Sequence, residues 1–117
     1  MKLFINDNVF TVKLAVTPET IKNGMMGKRF DETFNGMYFL MGRKEEQCFW
    51  MKNCVIPLDI IMIDNDVITT IHANCPPCYE EPCENYCGYG NKILEVAGGT
   101  CEELGIQEGD EVSFSLF

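Results

Sequence analysis

The sequence predicts an α+β protein that is mostly β, a single domain over residues 1–117 with seven or eight short strands and two short helices. Three observations predict this class. Short apolar runs alternate with turn residues, two segments carry helix-start signals, and no repeat or linker divides the chain. Many short strands in one domain favour a curled sheet or a partly open barrel.

The N-terminal part predicts a hairpin followed by a helix. Residues 2–5 and 9–16 are predicted strands around an Asn-Asp-Asn turn, and the second strand alternates apolar with polar side chains. Thr17 is placed to cap a helix that begins with Pro18 and runs to about Met25 or Met26, with Gly24 and Gly27 as candidate stops.

The middle of the chain predicts three further strands. Residues 36–41 and 48–51 are strand-like and are separated by a charged turn at residues 42–47. Residues 58–63 are apolar apart from Asp59, which is typical of a strand buried on both faces.

The C-terminal part predicts a strand at residues 67–73, a long loop at residues 74–90 and another strand at residues 93–96. Loops of this length in a compact domain are usually functional or held by a special constraint. A short helix capped by Thr100 follows. The side chains of the last strand that are predicted to face inward are Val112, Phe114 and Leu116.

Charge and hydropathy exclude some partners. The formal net charge is −9 and the isoelectric point is about 4.4, which disfavours nucleic acids and anionic membrane surfaces as partners. No apolar run approaches the ~20 residues of a membrane-spanning helix. The N-terminus becomes polar too soon for a signal peptide, so a cytoplasmic protein is expected.

The predicted long loop contains four cysteines in the spacing C-x2-C-x4-C-x3-C: Cys75, Cys78, Cys83 and Cys87. Zinc bound by the four thiolates is one reading, because such spacing resembles a zinc knuckle and clustered cysteines in a reducing compartment are often ligands. Nested disulfides, Cys78–Cys83 inside Cys75–Cys87, are the second. Four free thiols are the third, and the sequence leaves all three open.

A second candidate site combines Trp50, Lys52 and Asn53 with Asp59. An aromatic face beside polar donors at a strand end suits a small polar ligand. The alternative is structural: Trp50 lies in the core, Asn53 closes a turn, and Asp59 caps backbone amides.

Three functions follow from these candidates. The leading one is a ligand-binding or accessory domain with a cysteine-stapled loop. The second is a small hydrolase that uses the carboxyl groups of Asp59 and Glu95, although Glu95 also fits an outward-facing strand position. The third is a purely structural accessory protein. No nucleophile or metalloprotease motif is present, so no catalytic residue is assigned.

Three blocks of sequence together resemble the family catalogued as domain of unknown function 192. The blocks cover nearly the whole chain, and the Phe-Trp-Met-Lys-Asn segment followed by Pro-Leu-Asp is the most specific part. Their positions are 24–28 with 36–39, 49–54 with 57–61, and 94–100 with 104–106 and 109–110.

The resemblance implies a single compact β-rich domain, of a kind found in bacteria and archaea and often preceded by an export signal. It implies no established biochemical activity. The chain departs from the family pattern in four respects: it shows no export signal, it has Lys28 where Arg is usual, it has Cys54 where Thr is common, and its loop has four cysteines where the family often has only those matching Cys78 and Cys83.

Overall fold

The computed structural model describes residues 1–115 and confirms the predicted class, with seven strands and two short helices in the described chain. Leu116 lies outside the described residues. The strands are β1 (Lys2–Ile5), β2 (Asn8–Ala15), β3 (Gly36–Trp50), β4 (Leu58–Asp64), β5 (Val67–Cys75), β6 (Asn85–Ala97) and β7 (Val112–Ser115). The helices are α1 (Pro18–Asn23) and α2 (Thr100–Leu104).

All seven strands form one sheet in the order β5-β4-β6-β3-β2-β1-β7. Only β2 and β3 pair in parallel, because α1 and its flanking segments carry the chain back across the sheet between them. The sheet curls until its two edges meet. Val67 of β5 forms a bridge with Glu111, and the Ile68 N–H donates to the Asp110 carbonyl oxygen over 3.0 Å. The result is a partly open barrel.

Each face of the central strands carries its own apolar cluster. The interior of the barrel is filled from every strand, by residues that include Leu3, Phe10, Tyr38, Ile61, Ile68, Leu94 and Val112. The outer face of β3, β4 and β6 is covered by α1 and by the segments that follow α1 and β3. That second cluster includes Met25, Phe34, Phe39, Met51, Cys54, Ile60 and Ile93.

The signals that predict α1 are confirmed. The Thr17 side chain accepts a hydrogen bond from the Thr20 N–H at 3.1 Å, which satisfies one donor of the first turn. Pro18 occupies the first helical turn, and Gly24, the first of the two candidate stops, ends the helix at a φ of 43°, before the predicted end at Met25 or Met26. A Cβ at Gly24 would also approach the Phe39 ring to 3.2 Å, so this position favours glycine twice over.

Two predicted irregular segments are strand instead. The predicted turn at residues 42–47 is part of the 15-residue strand β3, whose pairing with β6 shifts register between Leu40 and Glu45. The predicted loop at residues 74–90 shrinks to residues 76–84, because β5 continues to Cys75 and β6 begins at Asn85. Pairing with a long neighbouring strand overrides the local preference of charged and cysteine-rich sequence for turns.

Of two side-chain predictions near the C-terminus, one is wrong and the other is right about the face but not about the burial. The cap of α2 is Gly99 rather than Thr100, and the Thr100 hydroxyl donates to the Ala97 carbonyl oxygen at 2.6 Å. Phe114 faces inward as predicted, because it pairs with Leu3 of the interior cluster and its ring lies against Tyr38 with centroids 5.5 Å apart, but it remains 38% exposed. β7 is an edge strand, so its side chains are covered less than an alternating pattern suggests.

The Asp59 carboxylate is fully buried and accepts three backbone hydrogen bonds. Its Oδ1 accepts from the N–H groups of Asn74 at 2.8 Å and Gly99 at 3.0 Å, and its Oδ2 accepts from the Cys101 N–H at 2.9 Å. Gly99 provides no side-chain cap for α2, so Asp59 takes that role from β4. The carboxylate therefore joins β4, the end of β5 and the start of α2.

Replacing Asp59 by Asn should lower the free energy of unfolding by roughly 3 kcal/mol, because hydrogen bonds to a charged acceptor are lost and an amide N–H₂ would face backbone donors. Urea denaturation would measure the change. Asp7→Asn is the matched control, since Asp7 is exposed. Equal stability of the two variants would contradict the structural role of Asp59.

Candidate functional site

A cavity of about 190 Å³ opens between α1 and the outer face of β3 and β6. Its walls are mostly apolar or aromatic, and a single carboxyl group contributes to its lining. The residues that matter most for its chemistry are Ile21, Met25, Phe39, Phe49, Trp50 and Glu95. Concave, largely apolar sites with few polar groups are the usual form of small-molecule sites.

Glu95 lies on β6 between Met37 of β3 and Ile60 of β4. Its neighbours Leu94 and Val96 point into the barrel, so strand alternation places Glu95 on the outer face. There the second apolar cluster covers it, and the residue is only 3% exposed. Its carboxyl group has no hydrogen-bond partner among the described residues.

Burial raises the pKa of the Glu95 carboxyl from 4.5 to about 8, because the ionised form loses its hydration. The group is therefore mainly protonated at neutral pH. A protonated carboxyl donates one hydrogen bond and still accepts others, so Glu95 offers both to a molecule in the cavity. The strand interpretation of Glu95 was correct about its face and wrong about its exposure.

Trp50 forms part of the rim of the same cavity. It is the last residue of β3 and its side chain is 38% exposed. The Lys52 ammonium lies 5.2 Å from the centroid of the Trp50 ring and is bound to a Glu81 carboxylate oxygen at 2.9 Å. Lys52 thus lies beside the ring but does not line the cavity.

Asn53 closes a turn. Its φ is 61°, its N–H donates to the Cys78 carbonyl oxygen at 2.9 Å, and its own carbonyl oxygen accepts from the Gly27 N–H at 2.9 Å. These contacts use the backbone. They hold the segment after β3 against both the cysteine loop and the segment after α1, which forms the other wall of the cavity.

Asp59 does not belong to this cavity. Ile60 packs in the outer cluster beside Glu95, so the adjacent Asp59 points to the opposite face of the sheet. The structure therefore brings Trp50 and Glu95 to one cavity and removes Asp59 from the predicted binding set. It also separates Asp59 from Glu95, so these carboxyl groups cannot act together as a hydrolytic pair.

The cysteines form two disulfides, one predicted and one not. Cys78 pairs with Cys83, as one of the alternatives proposed. Cys87 pairs with Cys48, which stands directly opposite it on β3, so the predicted Cys75–Cys87 bond is wrong. Cys75 is buried with a free thiol. The four loop cysteines therefore do not converge as one zinc site.

One group of potential metal ligands does come together in the described chain. Side-chain ligand atoms of Glu46, Cys48 and Cys87 lie within 4.8 Å of one another. Both sulfur atoms are committed to the disulfide, so neither is available as the thiolate that zinc needs.

A free thiol, that of Cys54, also lines the cavity. Burial raises its pKa to about 11, with a further contribution from the Glu95 carboxyl. At neutral pH the thiol is protonated and is a poor nucleophile. The residues of the cavity thus favour binding over covalent chemistry.

The sequence predicts Glu95 as a member of a carboxyl pair or as an outward-facing strand residue, and it does not identify the cavity. The signal that was available is the single acidic residue inside the apolar run of residues 93–96. The cover that buries this residue comes from distant segments, and their position follows only from the folded sheet.

The comparisons with known proteins place the fold and the family. The model of the family described as Uncharacterized ACR, COG1430, which is domain of unknown function 192, matches residues 1–114. The chain belongs to this family. No curated protein matches it.

Two solved structures are similar over nearly the whole chain. A protein of unknown function from Novosphingobium aromaticivorans is 34% identical with a TM-score of 0.85, and the match covers 97% of this chain and 84% of that one. A protein from Sinorhizobium meliloti, described as a putative transcription regulator, is 33% identical with a TM-score of 0.82, covering 96% and 89%. Within residues 1–115, no helix has the length and apolar character needed to cross a membrane.

The disulfide pattern predicts a thiol count. Denatured, unreduced protein should give three thiols per chain, those of Cys54, Cys75 and Cys101, and reduced protein should give all seven. Titration with a chromogenic disulfide reagent would measure both values. Seven thiols without reduction, together with bound zinc, would contradict the disulfides and restore the metal interpretation.

The pKa of Glu95 predicts a pH-dependent stability. In the folded protein Glu95 keeps a proton that the unfolded chain loses above about pH 4.5. The contribution of Glu95 to the free energy of unfolding is therefore complete below that pH and is lost as the pH rises to about 8. The stability of Glu95→Gln relative to the unchanged protein should therefore grow by about 1.4 kcal/mol per pH unit across that range.

Urea denaturation at several pH values would test this, with Glu102→Gln on the exposed face of α2 as the control. A constant difference between Glu95→Gln and the unchanged protein would show that Glu95 has an ordinary pKa.

Proposed function

We propose that this protein binds a small organic molecule in the cavity between α1 and β3, and that Glu95 is the polar group that recognises it. The observation that carries the proposal is a carboxyl group that is only 3% exposed, unpartnered in the described chain, and part of the cavity wall. A buried polar group without a partner costs about 1–3 kcal/mol. A ligand that hydrogen-bonds to it would recover that free energy.

The dimensions of the cavity support a ligand about the size of one ring. An apolar cavity of about 150 Å³ is sufficient to hold benzene, and the cavity here is about 190 Å³. Methionine and aromatic walls adapt well to such a molecule. The ligand would carry its polar group at the end that reaches Glu95.

Binding without turnover is favoured over the hydrolase alternative. Asp59 lies on the other face of the sheet and is engaged with three backbone amides. Cys54 is protonated at neutral pH. The net charge of −9 weighs against nucleic acid as the partner.

The two disulfides support localisation in an oxidising compartment, because structural disulfides are rare in a reducing cytoplasm. This proposal replaces the cytoplasmic expectation drawn from the N-terminal composition. Cys48 lines the cavity and is part of one disulfide, so an oxidising setting would also keep this wall intact.

Titration with benzyl alcohol tests binding, and the fluorescence of Trp50, the only tryptophan of the protein, reports it. We expect a saturable change. Met41→Phe should abolish the change, because Met41 lines the cavity and a larger ring would fill it. Leu104→Phe, at an exposed position on α2, is the control and should bind normally. Equal binding by both variants would place the site elsewhere.

A further inference from the structure

We propose that the cavity selects a small organic cation, an alkylammonium group held between the ionised carboxylate of Glu95 and the surrounding aromatic rings. This inference rests on the proposed function, that the cavity binds a small molecule, and specifies the chemical class of that molecule.

The aromatic walls supply the first argument. Phe39, Phe49 and Trp50 all line the cavity, and the rings of Phe39 and Phe49 are nearly perpendicular with centroids 4.9 Å apart. The negative faces of aromatic rings attract cations, most strongly for tryptophan. Trp50 already has the Lys52 ammonium 5.2 Å from its ring centroid, so its π-system accepts a cation in this protein.

The carboxyl group supplies the second argument. Glu95 is the acidic side chain of the cavity lining, and apolar walls surround it. A cation beside it would favour the ionised form, and the attraction between them is much stronger at low dielectric than in water. Binding a permanent cation to the protonated group therefore releases one proton to solvent. The reaction is Glu95-COOH plus R₄N⁺ giving the Glu95 carboxylate with bound R₄N⁺, plus H⁺.

The other charged and titratable groups near Glu95 do not compete in the relevant pH range. Cys54 and Cys75 interact with the Glu95 carboxyl, and burial raises the pKa of each thiol to about 11. Lys22 lies at the mouth and is exposed, and the Lys28 ammonium donates to the Gly24 carbonyl oxygen at 3.0 Å. Exposed ammonium groups are screened by water and salt, whereas the Glu95 carboxyl is not.

The electrostatic field of the whole protein also favours a positively charged ligand. The formal net charge of −9 raises the local concentration of cations around the chain. An anionic ligand would meet this field and then a buried acid. A neutral ligand would gain nothing from the field and would leave the Glu95 proton in place.

Tetramethylammonium chloride is the probe, and tert-butyl alcohol, of similar size, is the uncharged comparison. Trp50 fluorescence and calorimetry would follow both between pH 6 and pH 9. We expect the association constant of tetramethylammonium to rise about tenfold per pH unit up to about pH 8 and then to level off. Below that pH, calorimetry in buffers of different ionisation enthalpy should show nearly one proton released per ligand bound.

Glu95→Gln keeps the shape of the side chain and removes the titrating group. It should weaken tetramethylammonium binding at pH 8 by more than tenfold and abolish the pH dependence of that binding. Glu102→Gln should behave as the unchanged protein, since Glu102 is exposed on α2.

The outcomes separate this inference from the function on which it rests. If tert-butyl alcohol binds and tetramethylammonium does not at pH 8, the choice of a cation is wrong and the binding function stands. If tetramethylammonium binds with no pH dependence, or equally well to Glu95→Gln, its pairing with Glu95 is wrong. If neither probe binds saturably, the binding function itself is contradicted.

Discussion

The carboxylate of Asp59 is the interaction on which the arrangement of this fold depends. One buried side chain satisfies backbone donors from the end of β5 and from the start of α2, two places far apart in sequence. The turn after β6 is thereby fixed, and β6 stays between β3 and β4 with both faces covered. A central strand with two covered faces is what allows a side chain on the outer face to be as deeply buried as one in the barrel.

Asp59 and Glu95 show how one sequence pattern produces two different roles. Each is an acidic residue inside an apolar strand, and each is almost fully buried. Asp59 finds three donors and serves the fold. Glu95 faces a cavity with no donor among the described residues, so no hydrogen bond compensates for the loss of its hydration. Such a cost at a cavity wall is a strong reason to look for a ligand there, and the aromatic rings beside it indicate the chemistry.

Local signals predicted local structure well, and contacts between distant segments decided the rest. The cap of α1 at Thr17 follows from neighbouring residues, and Gly24 is one of the two stops that the sequence offers, although the predicted helix extends past it. The charged stretch at residues 42–47 is held as strand by β6, and the partner of Cys87 depends on the register between β3 and β6. For the candidate site, Trp50 was identified from residue type alone. Its combination with Glu95 requires the cover formed by segments after α1 and β3.

The ionisation of Glu95 is the property on which the proposed site most directly depends. The ¹³C chemical shift of its side-chain carboxyl carbon, followed by NMR from acid to alkaline pH, would report that ionisation at the atom itself. We expect a titration near pH 8 in the free protein, moving to lower pH when tetramethylammonium saturates the cavity. A titration near the ordinary value of 4.5 in the free protein would contradict this expectation.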